Sequence, residues 1–565
     1  MKKGPKRAEL KEPAAGATRI VFLGGAGEIG RNMTLFEHDG KILVVDVGLM
    51  FPTEEMLGVD LVLPDFQYLR DRAKQVIGVF LTHGHEDHIG GLPYLLRDID
   101  VPIYGAALTL GILRTKLEEH RLVERTRLKV VKVPGRLTLG PFRLQFFNMV
   151  HSIPDTVGTI ISTSAGKILY TSDFKIDEDP IGGKPTDFAG LRKASAQGID
   201  LMMADSTNAD KPGHTPSERT VGPPIAEAIR TSKGRVIVAC FASNIHRVQQ
   251  IVDGAQKCER FVAFLGRSMV NNVRVAQELG YLKVPKEMVV SIEDIDDLPP
   301  EKVAVACTGS QGEPLAALSL MAARDHKWIK LTGGDTVVLS ATPIPGNESA
   351  VRRVIDGLFR IGVHVVAPPA HNVHVSGHGC AGDLTTMLEL IRPKWFVPVH
   401  GEYRHMALHI ELAQKSGVKK AHTMLVEDGD VLELANGQVR KTGRIPAGYV
   451  LVDGLGIGDV QDVVLRDRRL LADDGIIVCV VTIDSQNGEL LAGPDVISRG
   501  FVFEDQAGEF LEQARAEIRD SLATLAQDEI TDWAAVRRTV RKSLGRFVFK
   551  ETGRRPIILP VVMEV

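Results

Sequence analysis

Cysteine is scarce in this chain. There are five in 565 residues, at positions 240, 258, 307, 380 and 479, and no two are close enough to form a Cys-x-x-Cys pair. That argues against a disulfide framework and for reduced, mostly buried thiols in a cytoplasmic protein. Net charge is nearly absent: 68 Lys and Arg face 71 Asp and Glu, for a total of −3. Charge over the whole chain therefore does not announce nucleic acid, and any basic surface must be local. Long apolar runs are also missing. The longest, 101–113, is closed by Arg114 and is too short to span a bilayer. The first 18 residues carry Lys2, Lys3, Lys6, Arg7 and Lys11 without an apolar segment, which predicts a mobile basic tail and not a signal peptide. What is present, 44% apolar and 25% charged residues, is the composition of a globular chain. At roughly 150 residues per domain, the length predicts three or four domains.

No repeat of fixed period is visible. From Arg19, short β-rich runs alternate with turn signals. The runs 34–38 and 41–45 flank Asp39-Gly40 and predict a hairpin. Runs at 76–81, 142–150 and 167–171 each end in polar residues able to bind metal. The texture changes near Gly222. Helices are expected at 225–230 and 246–257, and buried parallel strands at 236–240, 262–265, 302–307 and 336–340. A further run at 395–400 again ends in histidine. The economical reading is one domain, 19–222 and 372–446, interrupted by an α/β domain at 223–371. Near 444–458 the chain turns rich in Gly and Pro, and a linker is expected at 447–465. A small α+β domain at 466–565 holds a β run at 475–483, helices at 508–525 and from 532, and a last strand at 557–562.

The strongest chemical signal is Thr82-His83-Gly84-His85-Glu86-Asp87-His88. Four candidate ligands fall within six residues, just past a buried strand. A tight loop can aim His83 and His85 at one metal, and Asp87 and His88 at a second. It is not the HExxH pattern of zinc proteases, because only Asp87 separates Glu86 from His88. His151, Asp173 and His400 each follow a later strand. Together they supply what two coordination spheres around a shared carboxylate still need. Gly25-Ala-Gly-Glu-Ile-Gly30 mimics a dinucleotide fingerprint, with Asp46 at a suitable distance. The hairpin leaves no room for the helix that fingerprint requires, so these glycines are expected to let a loop pass close to the metal site.

HGHEDH, with Asp46 before it and His151, Asp173 and His400 after it, resembles the metallo-β-lactamase superfamily. Asp205 in Ala-Asp-Ser-Thr-Asn, His378 in Ser-Gly-His-Gly and His400 in Pro-Val-His-Gly-Glu resemble its β-CASP nuclease branch. Three further segments, starting at Phe241, Thr308 and Ile344, resemble the ribonuclease J family. The resemblance implies a metallo-β-lactamase αββα sandwich interrupted by an inserted α/β β-CASP domain, plus a small α+β C-terminal domain. It assigns His83, His85 and His151 to metal one, and Asp87, His88 and His400 to metal two, with Asp173 as the bridge. Asp46 would be the carboxylate that fixes the histidine loop. His378 would sit by the scissile phosphate, with Asp205 orienting it. The cofactors would be two divalent metal ions, Zn2+ ahead of Mn2+. The activity would be cleavage of RNA phosphodiesters by a hydroxide bridging the metals. The enzyme would be a 5′-to-3′ exonuclease preferring 5′-monophosphate ends and also an endonuclease, in rRNA maturation and mRNA decay. Its partners would be single-stranded RNA, a second copy joined through the C-terminal domain, and other RNA-decay proteins, with no membrane.

Turns in and beside the insert could grip the 5′-phosphate. Gly309-Ser310 follows one buried strand, Ser376-Gly377 precedes His378, and Ser243, Asn244 and Arg267 lie on further loops. Ser243 and Asn244 could equally cap the following helix, and Arg267 could be a surface ion pair. The stretch 537–555 holds eight basic residues and the single acid Glu551. It reads as a solvated helix face or as a polyanion surface. Rival functions are another hydrolase of the same fold, acting on DNA or a small molecule, an amidohydrolase barrel, and a non-catalytic RNA-binding subunit. The barrel does not explain Asp87-His88 so close behind the HxH pair.

Overall fold

The computed structural model describes residues 13–313, 315–344, 347–460, 462–484, 489–501, 508–525 and 532–564. Most of the basic N-terminal tail, Pro314 of the Thr308 motif and Pro345-Gly346 of the Ile344 motif lie outside the described residues. The chain divides into two compact units. One runs up to Phe51 and resumes over Leu61–Val450; the other joins Pro52–Asp60 to the chain from Leu451 onward.

The first unit holds the predicted sandwich. One sheet has eight strands. Its centre is Thr18–Gly24, Met33–His38, Lys41–Val45 and Val76–Phe80, side by side. Asp39-Gly40 turns the expected hairpin, with His38 opposite Lys41. The second sheet has six strands. From its edge inward these begin Trp395–Val399, Leu201–Asp205, Lys167–Tyr170 and Thr156–Ser162. Pro398 sits in a fully buried strand, which is tolerated because that strand is an edge and owes no second ladder of hydrogen bonds. Phe80 from the first sheet stacks on Phe146 from the second, centroids 5.0 Å apart, at the centre of the core between them. A second core lies outside the six-stranded sheet, where helices Phe188–Ser195, Ala381–Ile391 and Tyr403–Lys415 bury Leu191, Leu384, Met387 and Ala413.

The insert is a five-stranded parallel sheet. Val236–Ala239 is central, with Val303–Cys307 on one side and Thr336–Leu339 on the other. All three strands are buried along their length, as their near-continuous apolar sequences require. Because the strands are parallel, the loops after Ala239, Leu265, Cys307 and Leu339 share one edge, where open α/β sheets collect ligands.

The second unit contains the three-stranded sheet Leu490–Arg499, Ile476–Ile483 and Ile557–Glu564, covered on one face by helices Gly508–Ala523 and Trp533–Thr552. Two features differ from the sequence expectation. The stretch expected to be a linker, 447–465, carries the strand Tyr449–Asp453 and the start of the helix Asp462–Asp474. Strand Leu490–Arg499 had no counterpart in the sequence reading. Its Gly493-Pro494 reads as a turn, and it survives in a strand because that strand is an edge.

Candidate metal centre

The histidine loop follows strand Val76–Phe80 and runs into the short helix Glu86–Ile89. Asp46, fully buried at the end of the neighbouring strand, braces it. Its Oδ1 accepts the Thr82 backbone N–H at 2.8 Å, and its Oδ2 accepts both the Thr82 hydroxyl and His88 Nδ1, each at 2.8 Å. Because the Thr82 hydroxyl donates to Asp46, it is left to accept from His83 Nδ1, 3.1 Å away. Both rings are thereby held in the tautomer whose Nε2 is bare, as metal-ligating imidazoles require.

The bare nitrogens converge. His83 Nε2 lies 3.0 Å from His85 Nδ1, and His151 Nε2 lies 3.2 Å from the same atom. His151 donates Nδ1 to the Gly377 carbonyl at 2.8 Å, so its Nε2 is also unprotonated. Asp173 Oδ2 stands 3.6 Å from His83 Nε2 and 3.8 Å from His151 Nε2. The same oxygen is 3.2 Å from His88 Nε2 and 3.5 Å from His400 Nε2. Asp87 Oδ2 completes that second group, 3.1 Å from His400 Nε2 and 3.5 Å from His88 Nε2. Four ligands in a tetrahedron at zinc–nitrogen distance are about 3.3 Å apart. The two sets, His83/His85/His151/Asp173 and Asp87/His88/Asp173/His400, match that spacing and share one carboxylate oxygen. Lone pairs facing one another in a buried space need a cation between them, so the residues fit two metal ions.

Electrostatics divide the two sets. Burial, reinforced by the neighbouring imidazoles, pushes His83 and His151 well below the ordinary histidine range, so both are neutral. Burial likewise pushes His85 down to about 4. In the other set burial is overcome. Asp173 with Asp87 and Asp46 holds His88 well above its ordinary value, and Asp173 with Asp205 and Asp87 does the same for His400. In both, the carboxylates supply the attraction that a bound cation would take over, leaving Nε2 free to ligate it.

His378 stands beside this cluster on the segment that returns from the insert. Its Nδ1 lies 2.7 Å from Asp205 Oδ2, and its side chain is 20% exposed where that of Asp205 is 1% exposed. Asp205 does more than orient His378. Its Oδ1 accepts the Thr207 backbone N–H and hydroxyl, and that hydroxyl lies 2.7 Å from His400 Nδ1. Ser376 Oγ accepts the His378 backbone N–H at 3.1 Å and Asn208 Nδ2 at 2.8 Å. Gly377 cannot be larger: a Cβ there would lie 2.7 Å from His151 Cε1. Gly25, in the false dinucleotide motif, has φ +81°, and its carbonyl accepts the His400 N–H at 2.7 Å. The glycine loop does pass beside the cluster.

Sequence reasoning missed Asn32, Thr82, Thr207 and Asn208. Asn32 Nδ2 lies 3.3 Å from Asp87 Oδ2 and 3.1 Å from His88 Nε2. A signal existed for three of the four, since Thr82 opens the histidine motif and Thr207-Asn208 follow Asp205. The phosphate candidates are only partly assembled at the cluster. Ser376, Gly377 and His378 are there. Ser243, Asn244, Arg267, Gly309 and Ser310 stand on the ligand edge of the insert sheet. Asn244 takes the capping alternative, its side chain accepting the Arg247 N–H at 3.0 Å. Arg267 is exposed at the start of helix Arg267–Glu278, and Ser310 is buried. In the second unit, Arg537, Arg538, Arg541, Lys542, Arg546 and Lys550 lie on the exposed face of helix Trp533–Thr552.

Comparison with known proteins covers nearly the whole chain. Family models match residues 26–205 (metallo-beta-lactamase superfamily), 233–358 (Ribonuclease J, beta-CASP domain), 362–424 (Zn-dependent metallo-hydrolase RNA specificity domain) and 463–565 (Ribonuclease J C-terminal domain). The chain is 41% identical to Ribonuclease J2 of Bacillus subtilis over 98% of its own length and 100% of the relative's. It is 42% identical to Ribonuclease J of Mycolicibacterium smegmatis over 99% of its length and 100% of the relative's. A crystal structure of a protein of unknown function from Enterococcus faecalis shares the fold. It covers 74% of this chain and 100% of its own, with a TM-score of 0.53 at 16% identity.

Proposed function

The chain belongs to the ribonuclease J family, and on that premise we propose that it is a two-metal ribonuclease, a 5′-to-3′ exonuclease preferring 5′-monophosphate ends that also cuts internally. The observation that carries the reading is Asp173 Oδ2, one oxygen shared by two convergent donor sets. His83, His85 and His151 would hold one ion, and Asp87, His88 and His400 the other. Five imidazoles against two carboxylates favour zinc over manganese. When bound, two such ions supply Lewis acidity at the scissile phosphate and a nucleophilic water of lowered pKa. The rest falls to side chains. His378, with Nδ1 on Asp205, turns Nε2 outward to give a proton to the leaving 3′-oxygen. Ser376 and the Gly377 backbone would meet the substrate end, while the edge loops at Ser243, Arg267, Gly309 and Ser310 would hold the 5′-phosphate.

The test is a time course on base-labelled, 5′-monophosphorylated RNA with wild type and Asp173→Ala, in zinc or manganese. Mononucleotides should appear early and from wild type alone, and faster than from 5′-hydroxyl RNA. Internal fragments without mononucleotides would remove the exonuclease and the pocket. No cleavage in either metal would sink the reading.

The cell setting proposed is the cytoplasm, in RNA maturation and decay, with all five cysteines unpaired. Among the described residues no helix is long and apolar enough to cross a membrane. A homodimer is supported by the second unit. The face of its sheet turned away from the two helices presents Ile497, Leu559 and Met563, each about half exposed among the described residues, beside the partly covered Val478 and Val480. A second copy is the occupant we propose. Light scattering should give twice the chain mass, and Ile497→Asp with Leu559→Asp should halve it. A wild-type monomer would refute the dimer.

A further inference from the structure

One buried ion pair is not used by the chemistry above. Arg247, in the first turn of helix Ile245–Lys257, is fully buried. Its Nε donates to Glu218 Oε1 at 2.7 Å. Its Nη1 donates to the Ser340 carbonyl at 2.8 Å and Oγ at 2.6 Å, and lies 3.3 Å from the Val373 carbonyl. Among the described residues its Nη2 has no hydrogen-bond partner. A buried ion pair is a poor way to gain stability, since desolvation offsets most of the attraction. The identity of the partners suggests a different use.

The chain enters the insert between Asp205 and Gly222 and leaves it between Val366 and His378. Glu218 lies on the entering crossing, Val373 on the leaving one, and Ser340 at the ligand edge of the insert sheet. Arg247 ties all three with one rigid fork. The entering crossing is anchored in turn to the sandwich. Asp177 Oδ2 accepts the Glu218 N–H at 3.2 Å and the Ser217 hydroxyl at 2.8 Å, and buried Lys175 donates to the Pro216 carbonyl at 3.1 Å. Both follow Asp173 within four residues. The leaving crossing is held by the Ser340 hydroxyl, which donates to the Val373 carbonyl at 2.6 Å. Three residues later come Ser376, Gly377 and His378, already bonded to Asn208, His151 and Asp205.

The geometry points to Arg247, with Glu218 and Ser340, as a pin across both crossings that positions His378 over the metal cluster. Arg247 touches neither metal nor substrate; it is a positioning residue acting through the 373–378 segment. A shift at Val373 is passed along five residues to His378, and proton transfer tolerates errors well below 1 Å. Lysine keeps the charge but loses the planar fork, so it can grip one crossing and not both.

The inference rests on the proposed proton transfer by His378, and the test separates the two. Arg247→Lys, Ser340→Ala and His378→Ala are assayed on 5′-monophosphorylated RNA and on bis(p-nitrophenyl) phosphate, whose nitrophenolate leaves without a proton. Ser340→Ala removes one hydroxyl and decides the matter if Arg247→Lys fails to fold. The expected result for all three is at least a tenfold loss of kcat on RNA, KM within twofold, unchanged metal content, and rates within twofold on the nitrophenyl ester. Equal losses on both substrates in Arg247→Lys and Ser340→Ala, or no loss on RNA, overturn the pin while His378→Ala still shows the selective pattern. If His378→Ala loses both substrates equally or neither, the proton-transfer role falls and the pin falls with it.

Discussion

His409 and His374 show how burial reaches single titrating groups. His409 is fully buried on helix Tyr403–Lys415, 3.0 Å from the Ser206 hydroxyl, and burial pushes it down to about 3. Burial, and then Arg247, push His374 down to about 3 as well. Both stay neutral in the fold, whereas in the unfolded chain they titrate near 6.5. The unfolded state therefore binds more protons, and stability rises with pH. Their contribution is complete above about pH 6.5 and is lost toward about pH 3, at about 1.4 kcal/mol per pH unit for each histidine. His409→Gln should flatten the wild-type slope by one such increment between pH 6 and 4.5, read from urea midpoints. Equal slopes would show that His409 is not held neutral. At the same scale, the metal ligands were legible as residues, because histidine and aspartate at this density have few other uses. Of their bracing, only Asp46 was named. Asn32 looks like an ordinary loop residue until the fold aims it at Asp87 and His88.

Secondary-structure elements were legible where one pattern ran without interruption. The insert strands are short apolar runs between turn signals, and they form where expected. The reading failed where local chemistry pointed one way and sheet position another. Gly493-Pro494 argues against a strand, yet it lies in an edge strand, where a proline costs no ladder hydrogen bond on the outer side. The stretch 447–465 looked like a linker because Pro446 and four glycines precede a polar helix whose partners are remote in sequence. Packing between elements yields a direct prediction. Phe146 is 1% exposed and stacks on Phe80 across the two sheets. Phe146→Ala should cost about 3–5 kcal/mol in urea unfolding, since rigid sheets on both sides limit collapse of the cavity. A loss under about 1 kcal/mol would mean that the sheets repack.

For the molecule as a whole, metal is expected to report on folding. The ligands come from His83 to His400, and the unfolded chain keeps only His83, His85, Asp87 and His88 together, so the ions bind the folded state far more tightly. Each ion held at a free concentration 100-fold above its Kd should add about 2.7 kcal/mol. A chelator should lower the thermal midpoint, zinc should restore it, and Asp173→Ala should lose most of the response because Asp173 belongs to both donor sets. A full response in that variant would place the ions elsewhere.

The sequence by itself determined the chemistry on offer: a dense histidine loop, strand-ending carboxylates, and one domain inserted in another. It could do so because ligand identity and hydrophobic period are local properties, written within a few residues. Only the tertiary structure decided which atoms meet. The sharing of Asp173 Oδ2 by two donor sets, the bracing of Asp46 on Thr82 and His88, the division of Asp205 between His378 and Thr207, and the grip of Arg247 on both crossings depend on distances between residues up to some three hundred positions apart. Such distances are set by sheet register and by packing between elements, and no run of neighbouring residues encodes them.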